Sequence, residues 1–500
     1  MSDSSAGFLI GYDLGSSSIK ASLVSIADGK VIGSATSPDT EMPMAAIKEG
    51  WAEQDPEMWW EHIVNASRKL KNKYGEALTR TRAIGISYQM HGLVLVDQNH
   101  QVLRPSIIWC DSRAVNIGRQ ASEALGQDYS LGHLLNSPGN FTASKLKWVK
   151  DHEPDIYSKV HKMMLPGDYA AMKMSGEICT TVSGLSEGIM WDFKEKSIAR
   201  RLLEYYGISE DFIPKIVPTF SEQAQLTAEA ADILGLPAGI PIAYRAGDQP
   251  NNALALNVLR PGEVATTAGT SGVIYGVSEQ LEYDPQSRVN TFAHVNYSKE
   301  KPKYGILACV NGTGILNSWL KHNLTGGKLN YEAMNLLAAE VPIGAEGVSI
   351  LPFGNGAERT LGNAEIDAHI HGLQFNRHGQ AHLLRAAQEG IVFALKYSFD
   401  IMKGMGLQIN TVKAGMANMF LSPVFREAFA NTTGAKVELY NTDGAAGAAR
   451  GAGVGAGIYQ DFEAAFAGLK QLGFAEPEAA KMTAYQEAYQ HWLEILKLKI

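Results

Sequence analysis

The sequence contains the same short arrangement twice, once near its start and once near its middle. The first copy has a strand-like run at Phe8–Tyr12, a polar turn at Asp13–Ser18 and an alternating run at Ile19–Ile26. In the second copy, the turn Ala268–Gly272 lies between two strand-like segments. Tight turns between consecutive strands make antiparallel pairs, whereas a dinucleotide-binding fold opens with a strand that leads into a helix.

This repeat predicts an α/β protein built from two related domains. The 500 residues are enough for two large α/β domains. We place the boundary between the two openings, near residues 254–261, which gives an N-terminal domain at 1–255 and a C-terminal domain at 256–500. Because no low-complexity linker separates the halves, we expect a cleft between them, where small-molecule sites usually lie.

Local patterns predict several helices. Asp55 followed by Pro56 is typical of a helix N-terminus, since the aspartate can cap it and proline suits the first position. Further helices are predicted at 144–150, at 158–174 with a break at Pro166-Gly167, and, from its apolar spacing, at 384–403.

Composition narrows the classes of function. Lys and Arg number 44 and Asp and Glu 52, so the net charge of −8 argues against a general nucleic-acid binder. The three cysteines are far apart, which argues against a disulfide framework. We find neither a run long enough to span a membrane nor a signal-peptide pattern at Met1–Gly7. We therefore expect a cytoplasmic protein without nucleic-acid or membrane partners.

Both repeated turns have the composition of phosphate-binding loops. The backbone amides of a glycine- and serine-rich turn can approach a phosphate, and the hydroxyls add donors. Asp13, at the end of the first strand, can hold Mg²⁺ through water. Each turn alone is equally well explained as a polar hairpin. Together, one in each half, they fit a triphosphate held from two sides.

Asp248 is the candidate general base. It follows a strand-like run at Ile240–Arg245, and a carboxylate there can accept a proton from an attacking hydroxyl. The alternative is a helix cap, because Gln249-Pro250-Asn251-Asn252 can begin a helix. Spacing alone slightly favours the cap.

Two other segments carry side chains suited to a polyol. Gln89-Met90-His91-Gly92 follows a strand-like run, and Asp111 with Arg113 can form a fork around sugar hydroxyls. The alternatives are a structural histidine and a surface ion pair. A third pattern, G-x-G-x-x-A at Gly451–Ala456, lacks the preceding strand that dinucleotide binding requires, so we predict a tightly packed helix of small residues there.

Taken together, these segments resemble the FGGY family of carbohydrate kinases over nearly the whole chain. The matching segments are Gly50–Pro56 with Trp59 and Trp60, Gln89–Gly92, Trp109–Arg113, the first family signature at Phe141–Val149, and the second from Gly372 through His378 to Gly390. The segment Lys413–Asn418 departs from the acidic, glycine-rich adenosine segment that is usual in the family.

The resemblance implies two actin-like (ribonuclease H-like) ATPase domains with a cleft between them. It implies transfer of the γ-phosphoryl group of ATP to a sugar hydroxyl with Mg²⁺, Asp248 being the base and Asp13 serving the metal. The residues implied for the sugar are Gln89, Met90, His91, Asp111, Arg113, Asp248 and Gln249. Those implied for the nucleotide are Gly15, Ser16, Ser17, Lys20, Gly269, Thr270, Gly314, Gly415 and Asn418.

The expected acceptor is D-xylulose, phosphorylated at O5, because the tryptophan-rich N-terminal segment and Met90-His91 resemble the ketopentose kinases of the family more than its glycerol kinases. L-ribulose, L-fuculose and glycerol are the alternatives within the family. The alternatives from other classes are a dinucleotide oxidoreductase and a non-catalytic actin-like ATP-binding protein, which would lack a carboxylate such as Asp248. We expect the sugar and ATP as binding partners. A homodimer is the one oligomeric state that we consider.

Overall fold

A computed structural model describes residues 7–409 and 411–500, which form two compact units. Unit 1 comprises residues 7–257, Phe292–Tyr304 and Thr442–Leu469, and unit 2 comprises Val258–Thr291, Gly305–Asn441 and Lys470–Ile500. A single boundary near residues 254–261 does not anticipate the two later segments of unit 1. The prediction that Met1–Gly7 is not a signal peptide concerns residues 1–6, which lie outside the described residues.

The strands are β1 (Phe8–Leu14), β2 (Ile19–Ser25), β3 (Val31–Ser37), β4 (Glu53–Gln54), β5 (Thr81–Tyr88), β6 (Val94–Val96), β7 (Ser106–Ile107), β8 (Lys162–Met164), β9 (Cys179–Thr181), β10 (Trp191–Asp192), β11 (Ser197–Ile198), β12 (Lys215–Val217), β13 (Phe220–Gln225), β14 (Pro241–Gly247), β15 (Glu263–Ala268), β16 (Gly272–Ser278), β17 (Asn290–Ala293), β18 (Tyr304–Val310), β19 (Ser349–Phe353), β20 (Asp367–His371), β21 (Thr411–Gly415), β22 (Lys436–Tyr440) and β23 (Gln471–Ala475).

The α-helices are α1 (Pro56–Leu78), α2 (Val115–Leu125), α3 (Gln127–Leu134), α4 (Thr142–His152), α5 (Pro154–Tyr157), α6 (Pro166–Ser175), α7 (Val182–Glu187), α8 (Arg200–Tyr206), α9 (Ala228–Leu234), α10 (Asp248–Ala255), α11 (Gly314–Trp319), α12 (Tyr331–Ala339), α13 (Gln380–Gly404), α14 (Pro423–Thr433), α15 (Gly444–Gly455), α16 (Phe462–Phe466) and α17 (Ala479–Lys497). Short 3₁₀ turns lie at Glu210–Phe212, Ala345–Gly347, Arg359–Leu361 and Asn418–Leu421, and a π turn at Leu320–Leu324.

The main sheet of unit 1 has the strand order β13-β14-β5-β1-β2-β3. Strands β1 and β2 form the predicted antiparallel pair, in which Asp13 is opposite Lys20, and β3 pairs antiparallel with β2. Strands β1, β5 and β14 are parallel, with Leu14 and Gly247 both in register with Tyr88. The carboxyl ends of these three strands therefore meet at one edge of the sheet.

Helix α15 packs directly on this sheet because glycine and alanine dominate the helix and glycines of β1 and β5 lie beneath it. A Cβ atom on Gly11 would lie 1.9 Å from the carbonyl oxygen of Ala445, and one on Gly85 would lie 1.9 Å from that of Ala448. Gly451 is an interior residue of α15 and faces the ring of Tyr244. The prediction of a tightly packed helix at this G-x-G-x-x-A pattern is confirmed.

The second large sheet has the order β17-β18-β16-β15-β21-β22-β23. Strands β15 and β16 are antiparallel, with Ala268 opposite Gly272, while β15 and β21 are parallel. Helix α13 supplies much of the apolar core of unit 2, including Ile391, Leu395 and Phe399. The second strand–turn–strand opening and the helix at 384–403 are thus confirmed.

The helix predicted at 158–174 is wrong before its predicted break at Pro166-Gly167, and confirmed after it. Residues Lys162–Met164 form strand β8, which pairs antiparallel with β6, and helix α6 begins only at Pro166. Proline disfavours a helical backbone at the residue before it, so Leu165 ends the extended segment. Helix α1 begins as predicted, with the carboxylate of Asp55 accepting the amide of Glu57 at 3.0 Å.

Within the described ranges, we find no helix of the length and apolar character needed to cross a membrane.

Candidate active site

The carboxyl edge of β1, β5 and β14 collects polar side chains that are far apart in sequence. Asp13 lies next to the end of β1, Gln89 directly follows β5, and Asp248 directly follows β14. Since parallel strands deliver their ends to the same edge, three separate strand–loop junctions build one site.

Asp13 lies among one hydroxyl, one cation and a second carboxylate. The hydroxyl of Ser87 donates to Oδ1 of Asp13 at 2.7 Å. Lys20, its register partner on β2, forms an ion pair with Asp443 at 2.7 Å. Burial raises the pKa of Asp13, Asp443 adds to the rise, and Ser87 and Lys20 oppose it. These oxygen groups suit Mg²⁺, which prefers one or two carboxylates and keeps several waters.

The start of helix α15 closes one side of this site. Asp443 caps the helix by accepting the amide of Ala446 at 2.8 Å, and Asn251 donates from its side-chain amide to the carbonyl oxygen of Gly444 at 2.8 Å. A Cβ atom on Gly444 would fall 2.3 Å from Oδ2 of Asp13. The backbone therefore approaches the carboxylate as closely as only glycine allows.

Asp248 is the first residue of helix α10, and Gly247 occupies the capping position. The alternative that Asp248 itself is the cap is therefore wrong by one residue, although an acid in the first turn still suits the helix. Burial, reinforced by the charge of Asp13, raises the pKa of Asp248 to about 7. A carboxylate with this pKa can both accept and release a proton near neutral pH.

The loop after β5 holds the first three residues predicted for the sugar. Gln89 and Met90 are buried, and the backbone amide of Gln89 donates to the carbonyl oxygen of Leu14 at 2.7 Å. His91 has a φ of 62°, a left-handed conformation that is uncommon for residues other than glycine. Nδ1 of His91 lies 2.9 Å from the carbonyl oxygen of Glu187. The loop is therefore fixed from two sides.

Lys145 holds the same loop from helix α4. Its ammonium group donates to the carbonyl oxygens of His91 at 3.0 Å and of Ile108 at 2.9 Å. Burial lowers the pKa of Lys145 to about 7. Sequence reasoning did not single out this lysine, although it lies inside the segment Phe141–Val149 that resembles the first family signature.

The predicted fork of Asp111 and Arg113 exists, but it is buried and joined to other residues. Arg113 forms ion pairs of 2.7 Å with both Asp111 and Glu53, and its guanidinium lies 3.7 Å from the ring centre of Trp51. Asp111 also accepts the backbone amide of Ala52 at 2.6 Å. The alternative of a surface ion pair is therefore wrong, and contact of either residue with a sugar stays a prediction.

Hydrogen bonds also fix the first glycine- and serine-rich turn. The amide of Gly15 donates to the carbonyl oxygen of Ser18 at 3.1 Å, and that of Met42 donates to the carbonyl oxygen of Ser17 at 2.8 Å. The side-chain amide of Gln54 donates to the carbonyl oxygen of Ser16 at 2.7 Å. The turn is thus held in place beside Asp13.

Unit 2 contains a cavity of about 840 Å³ lined by Gly269, Thr270, Gly314 and Asn418. The amide of Gly314 donates to the carbonyl oxygen of Gly269 at 2.8 Å, which links the turn to the start of helix α11. Gly415 lies at the end of β21, outside the lining of this cavity. Four of the five nucleotide residues predicted in this half therefore share one cavity.

Other lining residues of this cavity were not predicted from the sequence. They are partly exposed apolar residues and neighbouring polar ones, among them Ile315, Tyr331, Asn335, Leu336 and Leu421. An open slot with apolar walls and a few polar groups suits a planar heterocycle. Helical spacing gives no sign that such residues face a cavity rather than the core.

Among the described residues, no group of three or more His, Cys, Asp or Glu is arranged to hold a metal ion.

Comparison with known proteins gives matches over most of the chain. The N-terminal domain of the FGGY family of carbohydrate kinases matches residues 8–255, and its C-terminal domain matches residues 264–457. A xylulose kinase from Escherichia coli strain K12 is 30% identical over 484 residues, covering 95% of this chain and 96% of that protein. One from Bacillus subtilis strain 168 is 29% identical and covers 98% and 96%. The crystal structure of xylulose kinase from Rhodospirillum rubrum superposes with a TM-score of 0.87 at 27% identity, covering 98% of each chain.

Proposed function

This chain belongs to the FGGY family of carbohydrate kinases, and we propose that it transfers the γ-phosphoryl group of ATP to O5 of D-xylulose with Asp248 as the general base. The observation that carries this proposal is the position of Asp248 at the edge that also holds Asp13 and the His91 loop, with a pKa raised to about 7. A base of that strength accepts a hydroxyl proton at neutral pH.

In the proposed reaction, the sugar lies beside the loop Gln89–His91, where buried polar groups fix its orientation. Asp248 accepts the proton of the attacking hydroxyl as the new bond to phosphorus forms and the bond to ADP breaks. Phosphoryl transfer depends mainly on positioning and on stabilised charge, so the rigid loop and the base together account for much of what unit 1 contributes.

The residues around Asp13 would hold magnesium. Asp13 and Asp443 supply carboxylate oxygens and Ser87 a hydroxyl beside the turn Gly15–Ser17. When bound, the ion would neutralise charge on the phosphates. Lys20, paired with Asp443, adds a positive charge at the same place. The cavity of unit 2 would take the adenine and ribose between its apolar walls, with Asn418 and Thr270 as polar partners.

The choice of D-xylulose rests on similarity over nearly the full length to proteins named xylulose kinase. Other sugars of the family, such as L-ribulose, L-fuculose and glycerol, remain the competing acceptors. The test is a panel of these four acceptors with ATP and Mg²⁺, followed by a coupled assay for ADP and by identification of the phosphorylated position. We expect the largest kcat/KM for D-xylulose. A larger value for another acceptor would overturn the assignment of the sugar, and ADP release independent of any acceptor would overturn the kinase mechanism.

A further inference from the structure

Glu187 is a buried acid at the centre of this site that sequence reasoning did not single out. It is the last residue of helix α7, and its side chain is only 2% exposed. The Tyr88 hydroxyl and the backbone amide of His91 both act on its carboxyl group as hydrogen-bond donors. Removing a carboxylate from water is strongly unfavourable, whereas burying the neutral acid costs much less.

The side chain of Glu187 lies between the two groups that carry the proposed reaction. Its Oε2 is 3.8 Å from Nδ1 of His91, while its backbone carbonyl oxygen lies 2.9 Å from the same nitrogen. On the other side, Oε2 lies 3.0 Å from the position that a Cβ atom on Gly247 would occupy. Gly247 directly precedes Asp248. One residue therefore contacts both the substrate loop and the backbone that carries the base.

The groups around Glu187 are mostly acidic. Tyr88 on β5, Asp168 on α6 and Asp248 on α10 act on it, as does Lys145 on α4. Arg245 on β14 forms an ion pair with Asp168 at 3.5 Å. Burial raises the pKa of Glu187 well above its ordinary value, and the charges of Asp248 and Asp168 add to the rise. The Tyr88 hydroxyl and the His91 backbone amide oppose it.

We propose that Glu187 is a positioning residue which works as a neutral acid, fixing His91 and the Gly247–Asp248 backbone without adding a second negative charge beside the base. Because its oxygens are inaccessible, it acts through these two neighbours and does not touch the sugar. The proposal rests on the proposed function, since it gives Asp248 the role of base.

The decisive variant is Glu187→Gln, which keeps the size of the side chain and cannot ionise. We expect its kcat/KM at pH 7 to stay within about tenfold of wild type, the range of one neutral hydrogen bond. At alkaline pH, ionisation of Glu187 would place a second charge beside Asp248, so the activity of wild type should fall while that of Glu187→Gln persists. A merely structural residue would leave the pH profile unchanged.

Thermal unfolding gives a second readout that does not require activity. An acid whose folded pKa lies above its unfolded value binds an extra proton in the folded state, so its contribution lowers stability as pH rises between the two values. Glu187→Gln lacks this titration. We therefore expect it to gain stability relative to wild type as pH rises above about 4.5, the ordinary pKa of glutamate. The matched control is Asp192→Asn, in which the carboxylate lost binds His133 elsewhere in unit 1.

The outcomes separate this proposal from the proposed function. An alkaline limb unchanged in Glu187→Gln, or a stability difference that does not grow with pH, would overturn the role as a neutral acid. A loss of ~10²-fold or more in kcat/KM of Glu187→Gln at pH 7 would also overturn this role, because that is the effect of removing a reacting carboxylate. Asp248→Asn is assayed alongside, because full activity there would instead overturn the role of the base. Infrared difference spectra should show the carboxylic-acid stretch of Glu187 in wild type, which also covers the case of a poorly folding variant.

Discussion

The α-carbon of Gly444 lies against the carboxylate of Asp13, so closely that a Cβ atom would fall 2.3 Å from Oδ2. Gly444, the first residue of α15, and Asp13 on β1 are 431 positions apart in sequence and meet here within unit 1. Amides at a helix N-terminus favour nearby negative charge. The contact therefore sets where the Asp13 carboxylate can lie.

Gly444→Ala should displace Asp13 and impair catalysis more than folding. The added methyl group meets a carboxylate that Ser87 also holds, so Asp13 must turn away from its present position. We expect a lower kcat and a higher Mg²⁺ concentration for half-maximal activity, with a smaller change in KM for the sugar. Magnesium titrations at saturating sugar measure this. An unchanged magnesium dependence would show that Asp13 does not serve the metal.

Asp248→Asn should lower kcat by ~10²–10⁴-fold, the usual contribution of a general base. Asparagine keeps the shape and removes the basic oxygen, so binding of an ATP analogue should be retained in calorimetry. Near-normal turnover would exclude the role. Gln249→Asn, which leaves the carboxylate in place, is the neighbouring comparison and should lose less activity.

Because the pKa of Asp248 is about 7, the pH profile of kcat/KM should decline on its acid side. Below that value the base is protonated, so kcat/KM of wild type should fall as pH drops from 7 to 5. The same raised pKa has the opposite effect on stability, which falls as pH rises. The folded state keeps a proton that the unfolded state has released, so Asp248 lowers stability as pH rises from its ordinary value of 3.8 to about 7. Asp248→Asn should therefore melt higher than wild type at pH 7, with little difference at pH 4.

His91→Asn should weaken sugar binding far more than ATP binding. Asparagine tolerates the left-handed backbone that His91 adopts, so the loop is retained while the ring that packs 4.8 Å from Phe141 is lost. KM for the sugar should rise with little change in KM for ATP. If the KM for ATP rose alone, the assignment of this loop to the sugar would be wrong.

Local sequence patterns predicted the parts of the site that lie on strand ends. The turn after β1, the loop Gln89–Gly92 and Asp248 are each marked by an apolar run followed by polar residues. Lys145 and Glu187 were not anticipated, because what distinguishes them is a contact with a loop far away in sequence. Burial of the Asp111–Arg113 pair was missed for the same reason, since spacing does not show that Trp51 covers it.

The path of the chain was predicted only in part. The two strand–turn–strand openings and helix α13 follow from periodicity, but the return of Thr442–Leu469 to unit 1 does not. The many small residues of α15 are the signal, because Gly and Ala let its backbone approach a part of the sheet that also lacks large side chains. Glycines at Gly11 and Gly85 provide that surface.

Gly85→Ala should destabilise unit 1. Its Cβ atom would lie 1.9 Å from the backbone oxygen of Ala448, which cannot rotate away as a side chain can. Overpacking of this kind costs ~1–3 kcal/mol. Gly75→Ala is the control, because a Cβ atom there meets nothing within 4 Å in helix α1, so the same change should be neutral or stabilising. Urea unfolding of both variants measures the difference, and equal effects would contradict the packing argument.

Gly314→Ala should weaken nucleotide binding while sparing the sugar site. A Cβ atom on Gly314 would lie 2.3 Å from the carbonyl oxygen of Gly269, the acceptor of the hydrogen bond that joins the second turn to helix α11. The turn must shift, and Gly269 and Thr270 line the cavity proposed for the nucleotide. We expect calorimetry to show a higher Kd for ADP than in wild type. In kinetics, the KM for ATP should rise more than the KM for the sugar. Gly404→Ala, at the end of α13 in open space, is the matched control and should bind ADP as wild type does. Wild-type affinity in Gly314→Ala would place the nucleotide outside this cavity, since a ligand held by Gly269 and Thr270 cannot be indifferent to their displacement.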